Sequence, residues 1–383
     1  MRSYLDHAAT TPVRPEALEA MLPYLSGTAG NPSGMHASAR AARRAVDDAR
    51  ESIADLLGAS PGEVVFTSGG TEADNLAVHA ATAAAGADGP PPSALVCSAI
   101  EHAAVLRAVD RAAARTGSRL SMVPAGADGI VDLDALADAC TGDVTLVAVM
   151  AVNNEVGTVQ PVAEVADAVR ARAPRAALLV DAVQAAPWAD VASLAGPADL
   201  VAVSAHKFGG PSGVGVLVAR GTRPVTPLLV GGGQERDRRA GTPNVAGIVG
   251  MAAALRAASE TRAATAARVA ALRDRLVDGL LAAVPTASET GDRSRKVAGN
   301  AHLTFAGIEA EELLVLLDDA GVDASSGASC ASGALEPSHV LAAMGLGGLA
   351  RSGLRLSLGW TTTAAEVDRA LEVGPEAVAR LED

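Results

Sequence analysis

Aromatic side chains are nearly missing from this chain: two Trp, two Tyr and three Phe among 383 residues. A core of that size must then be filled mainly by Ala, Val and Leu, and stacking against a flat ligand falls to some other ring. Lysine is almost as scarce. Lys207 and Lys296 stand against 29 arginines, so surface positive charge is arginine's task here. Cysteine occurs three times, as Cys97, Cys140 and Cys330, at wide spacings and with no CxxC. That pattern argues against a disulfide framework and a thiolate zinc site, no metal is expected, and a reduced cytoplasmic setting follows. No apolar run is long enough to span a bilayer, and the opening MRSYLDHAATTP lacks the apolar segment of an export signal. The formal charge of -13, without any basic stripe, excludes non-specific nucleic-acid binding.

What is present is an alternation. Short apolar runs, EVVFTS at 63–68, ALVCS at 94–98, TLVAVMAV at 145–152, ALLVD at 177–181 and DLVAVS at 199–204, alternate with segments of helical period such as 37–57, 103–116 and 161–172. This predicts an α/β sandwich with a largely parallel sheet, whose strand order is not readable. An alanine-rich helical region from about 245 to 284 crosses to an α+β lobe. The expected division is an N-terminal segment, 1–20, joining the small lobe, a large domain, 21–254, and a small domain, 255–383.

Polar residues gather where strands end, the place where such sheets bind ligands. The stretch DLVAVSAHKFGGPSGVG delivers Ser204, His206 and Lys207 to a glycine-rich turn at a strand's end. An arginine could carry a charge there, but only a primary amine forms a Schiff base with an aldehyde cofactor. Asp181 ends a strand 26 residues earlier, with Gln184 just beyond it. Gly69-Gly70-Thr71 joins a strand to a helix N-terminus, either an anion site or an ordinary tight turn. His102 has a structural reading as well as a catalytic one, Asp181 a capping one, and Arg355 that of a surface pair. As a set, however, an amine, a strand-end carboxylate and phosphate donors are what pyridoxal phosphate requires, and His102 is a candidate to cover its ring.

The strings YLDHAATTPVRPE, GNPSGMH, VVFTSGGTEADNLAV, SAIEHAAVL, NNEVGTVQP, DAVQA, SAHKFGGPSGVG, GGGQERDRRAGTPN, SSGASCASG and EPSHVLAAMG with RLSLG carry a resemblance over nearly the whole chain. They resemble the NifS/IscS-type cysteine desulfurases, fold-type I pyridoxal phosphate enzymes of the class V aminotransferase group. The resemblance implies a large domain with a mostly parallel seven-stranded sheet and a smaller α+β domain. It implies Lys207 as the Schiff-base lysine, Asp181 at the pyridine nitrogen, Gln184 at the ring hydroxyl, and His102 stacked on the ring and assisting proton transfer. Gly70, Thr71, Ser204 and His206 would hold the phosphate, with Thr242 reaching the phosphate of the partner in a homodimer. Asn154 would touch cofactor and substrate, and Arg355, with Asn31, the substrate carboxylate. Two departures stand out: Pro243 where the family has glutamate, and Ala103 where it has proline.

Cys330 sets the expected reaction. Its small, polar flanks suit a residue that travels, whereas Cys97 at an apolar strand end and Cys140 at a helix terminus read as structural. The implied activity converts L-cysteine to L-alanine with sulfur held on Cys330 as a persulfide, for a protein acceptor or scaffold in iron–sulfur cluster assembly or in tRNA or cofactor thiolation. The alternatives are a selenocysteine lyase or aminotransferase, in which Cys330 is incidental, and a non-catalytic scaffold of a sulfur pathway.

Overall fold

The computed structural model describes residues 2–27, 29–87, 93–221, 223–327, 330–331 and 334–382, with backbone alone at 84–87, 330–331 and 334–335. Alternating apolar residues build the central layer. Seven strands lie in the order Val64–Thr67, Gly215–Ala219, Leu200–Ser204, Ala177–Asp181, Val144–Ala148, Ala94–Ser98 and Arg119–Val123. Gly215–Ala219 is antiparallel to both neighbours, and every other pairing is parallel. The expected mostly parallel α/β architecture is therefore present.

Both faces of this sheet are covered, which is why its strands, apart from the edge strand Arg119–Val123, read as largely continuous apolar runs. Phe66, Val96, Val147, Leu178 and Val201 point to one face, beneath helices Ala37–Leu56, Val162–Arg172 and the start of Val245–Ala283. Val65, Leu95, Leu146, Leu179 and Leu200 point to the other, beneath Gly70–Ala87 and Ala103–Thr116. In the apolar run 145–152 the ladder stops at Ala148, where the neighbouring strand Ala94–Ser98 also ends. Val149 and Ala151 stay buried and donate to the carbonyls of Leu179 and Asp181. This carries Asn153 and Asn154 out over the strand ends.

The helix Val245–Ala283 has 39 residues, about 58 Å at 1.5 Å per residue. Up to Ala258 it packs into the large core. From Val269 onward it packs with Leu276, Val277 and Leu280 into a second core around Leu303, Phe305, Leu317 and Leu356. That second core covers a three-stranded antiparallel sheet with Asn300–Phe305 between Gly353–Ser357 and Ala287–Glu289. The N-terminus returns to it: Ser3–Tyr4 pairs with Val322–Asp323, and Leu5 is fully buried there. No described helix is long and apolar enough to cross a membrane.

Candidate active site

The antiparallel strand Gly215–Ala219 brings together two phosphate-type elements that are far apart in sequence. Gly215 is in register with both Thr67 and Ser204, so the turn after Thr67 and the turn after Ser204 emerge side by side. A Cβ at Gly215 would lie 2.7 Å from Gly69 Cα, and one at Gly70 would lie 2.8 Å from Val183. Only glycine permits this close approach. Beyond the turn, Gly70–Ala87 begins a helix whose first N–H groups face the strand ends.

These elements rim a cavity of about 380 Å³. Gly70, Thr71, His102, Asn154, Asp181, Gln184, Ser204, His206, Lys207 and Arg355 all line it. Asn31 and Thr242 do not. Asn31 is exposed and accepts from Ser33 N–H within its own loop, and Thr242 is exposed on the surface of this chain. The backbone of Cys330 pairs with Leu335 in a short hairpin, and its side chain lies outside the described residues. Gly327, three residues before it, lines the cavity, which places the Cys330 Cα within about 11 Å of that wall by chain length alone. Cys97 and Cys140 are buried free thiols at a strand and a helix C-cap.

Lys207 follows Leu200–Ser204 in one turn of 3₁₀ helix. Its Nζ donates to the carbonyls of Ala8 at 2.5 Å and Ala9 at 2.9 Å. No carboxylate among the described residues touches it directly. Burial, and then the Arg355 cation, depress it to about 8, against opposing pulls from Asp181 and Asp6. Asp181 accepts from Val183 N–H at 2.8 Å, and burial holds its pKa above the usual carboxylate range even with His102 and Lys207 nearby. Gln184 Nε2 donates to Ala8 O at 2.8 Å. His206 meets the Thr10 hydroxyl at 3.2 Å and is lowered to about 4, chiefly by burial and then by Lys207.

His102 caps the helix Ala103–Thr116: its Nδ1 accepts from Ala104 N–H at 3.1 Å. Ala103 occupies the first helical position, where proline is tolerated but not required. The departure there therefore leaves the ring's placement intact. Burial lowers the His102 pKa, and a neutral ring whose Nδ1 accepts carries its proton on Nε2. Arg355 is 4% exposed and spans the two lobes, donating to Asn154 O at 2.8 Å and Asp6 Oδ1 at 2.7 Å, while its Nε has no partner.

Several residues here escaped the sequence reading. Ala8 and Ala9 supply the carbonyls around Lys207, and Asp6 orients Arg355, because the N-terminal segment folds back across the mouth. Asp74, which lines the cavity, and Glu101 lie buried near Asp181, each with a carboxyl oxygen unpartnered. Glu101 accepts from Ser98 Oγ and Met150 N–H, both at 2.6 Å, and burial lifts it to about 8. A carboxylate three places from Thr71 in TEAD, and one directly before His102 in IEH, were the available signals.

The donor set suits pyridoxal phosphate: a partly neutral amine, a buried strand-end carboxylate, and a glycine-walled turn of hydroxyls and N–H groups. Among the described residues no cluster suited to a metal occurs. The class-V aminotransferase model matches residues 3–370. The chain is 47% identical over 382 residues to the IscS-like cysteine desulfurase of Mycobacterium tuberculosis, covering 99% of this chain and 96% of that one. It is 44% identical over 384 residues to a cysteine desulfurase of Cereibacter sphaeroides, at 99% and 96% coverage. A solved NifS-like protein superimposes with a TM-score of 0.91 at 34% identity, covering 99% of this chain and all of that one. Sequence, sheet and site agree, and the chain belongs to the class-V aminotransferase family, among its cysteine desulfurases.

Proposed function

We propose that this chain forms a cytoplasmic homodimer that uses pyridoxal phosphate to release sulfur from L-cysteine, leaving L-alanine and a persulfide on Cys330. The observation that carries the reading is the convergence of Lys207, Asp181, His102 and Arg355 on one cavity beside the turn formed by Gly70, Thr71, Ser204 and His206. The cofactor, held by Lys207 and those residues, supplies an electrophilic carbon for the substrate amine and a ring that takes up electrons when the α C–H bond breaks. Asp181 holds a proton at the ring nitrogen, and Gln184 keeps its side-chain oxygen for the ring hydroxyl while Nε2 is tied to Ala8. Arg355, its plane set by Asp6 and Asn154, binds the substrate carboxylate, with Asn154 as a further contact. Lys207 Nζ takes the α-proton. His102 covers the ring and, with Nδ1 engaged, offers only Nε2–H, which makes it a donor and not the base.

Cys330 must reach the substrate sulfur as a thiolate. Its attack forms an S–S bond and breaks the substrate's C–S bond, and the electron pair leaves with the carbon that becomes alanine. The persulfide then passes to a protein acceptor, for iron–sulfur clusters or for thiolation. Thr242, exposed on this chain, is the residue offered to the partner's cofactor phosphate. The free thiols of Cys97 and Cys140 accord with a reducing compartment. The test is product analysis with L-cysteine and a reductant: alanine and sulfide should appear one to one, with no keto acid. Cys330→Ser should lower sulfide release about 10³-fold while leaving the visible absorbance of the bound cofactor unchanged. Undiminished sulfide from that variant would exclude Cys330 as the nucleophile, and keto acid without sulfide would point to an aminotransferase.

A further inference from the structure

The loop 231–244, which carries Thr242, is built against its own chain with unusual care. Glu235, Arg236 and Asp237 take φ values of 49°, 58° and 62° in succession. Three consecutive non-glycine residues in the left-handed region are strained and persist only where the surroundings hold them. The surroundings are the open edge of the large sheet. Glu235 accepts from Phe66 N–H at 2.9 Å and pairs with Arg50 through two bonds of 2.6 and 2.9 Å. Arg238 donates to Gly62 O and Val64 O. The edge strand Val64–Thr67 is thereby closed, and the loop is fixed to the strand that leads into the phosphate turn.

One further bond joins the loop to the turn itself. Arg239 Nε donates to Glu72 Oε1 at 2.8 Å and its second nitrogen to Oε2 at 3.1 Å, a bidentate pair that is 21% and 15% exposed. The same Glu72 Oε2 accepts from Ser68 N–H at 2.7 Å, at the entry of the turn Gly69-Gly70-Thr71. Glu72 thus holds the phosphate turn of its own site with one oxygen and, through Arg239, the loop three residues before Thr242. Without Arg239, its carboxylate would stand uncompensated one residue from Thr71.

We propose that Arg239 and Glu72 are positioning residues for the cofactor phosphate of the partner subunit, acting through Thr242, so that one carboxylate serves a turn in one site and a loop in the other. This rests on the reading that Thr242 crosses to the partner. Paired and half-buried, the guanidinium fixes the loop's register. Unpaired, the loop keeps its strained segment but loses its bond to the turn Gly69-Gly70-Thr71.

The experiment titrates pyridoxal phosphate into the cofactor-free dimer, reading the visible absorbance of the bound form, for wild type, Arg239→Gln, Thr242→Ala and the double variant. Each single variant should raise the half-saturating concentration about tenfold, the scale of one charge-assisted hydrogen bond. The double variant should be no weaker than Thr242→Ala, because Arg239 acts through that residue. Arg239→Lys, which keeps the charge but not the fork, should recover part of the loss. Multiplicative losses in the double variant, or an Arg239→Gln protein that binds like wild type while Thr242→Ala is weakened, would overturn the positioning role and leave the Thr242 reading intact. Normal binding by Thr242→Ala would instead remove the Thr242 reading. Should Arg239→Gln fail to fold, the same cycle run with Arg239→Lys decides between these results.

Discussion

The chain's two lysines sit in regions of similar burial and opposite use. Lys296, 8% exposed, lies in the small lobe's edge and pairs with Glu289 at 3.1 Å, a carboxylate also held by Arg293 at 2.7 Å. Lys207 lies at the end of a central strand, donates to two backbone carbonyls and faces the Arg355 cation. Burial lowers both pKa values. Glu289 opposes that shift at Lys296 by direct contact, so its ammonium is stabilised where it stands. At Lys207 the carboxylates Asp181 and Asp6 act from a distance, and the net result is an amine near 8. A buried lysine becomes a reagent when its nearest neighbours solvate it without neutralising it.

Breaking the comparison at its strongest point means removing each amine. Lys207→Ala should abolish the visible absorbance of bound cofactor and lower desulfuration by at least about 10³-fold. Lys296→Met should leave turnover within about threefold of wild type, and a collapse of turnover without unfolding would show that Lys296 is more than structural. The pH dependence of loading comes next. At pH 7 an amine of pKa about 8 is neutral about 300 times more often than one at 10.5. The rate of cofactor loading should climb about tenfold per pH unit and level off near pH 8, where that of a small primary amine continues to climb. A rise continuing unchanged to pH 9.5 would contradict a depressed Lys207.

In stability the roles reverse. Lys296→Met should cost about 1–3 kcal/mol, since Glu289 keeps Arg293 but loses its buried ammonium, measurable by denaturant unfolding of the cofactor-free protein. The pH dependence of stability turns on Glu101. With a folded pKa near 8 and an unfolded one near 4.5, the folded state binds the extra proton between those values, so this group's contribution falls as pH rises through that window. Glu101→Gln, which keeps the shape and carries no charge, should show a shallower loss of stability from pH 5 to 8. A slope identical to wild type would mean that Glu101 ionises normally.

The fold was legible because its strands are buried on both faces, so composition and run length alone marked them. The site was legible where motif residues sit at strand ends: Lys207, Asp181 and His102 follow directly from their runs. What escaped were contacts between distant segments. Ala8 and Ala9 beside Lys207, or Asp6 against Arg355 349 residues away, leave no periodic trace, since a backbone carbonyl has no residue type. The extent of the run 145–152 was also overread. Apolarity reports burial, and residues 149–152 are buried beyond the regular strand, with Val149 and Ala151 still bonded to Leu179 and Asp181.

By itself, the sequence determined which chemistry is available: one of two lysines at a strand-end glycine turn, one cysteine in a small polar loop, and strands that must lie inside. Side-chain chemistry and local periodicity are properties of short segments. Only the tertiary structure decided that Gly215 would stand between Thr67 and Ser204, that the N-terminus would cover Lys207, and that Glu72 would join a turn to a loop 167 residues away. Strand order and long-range pairing depend on which surfaces pack best across the whole chain, and no local pattern encodes that choice.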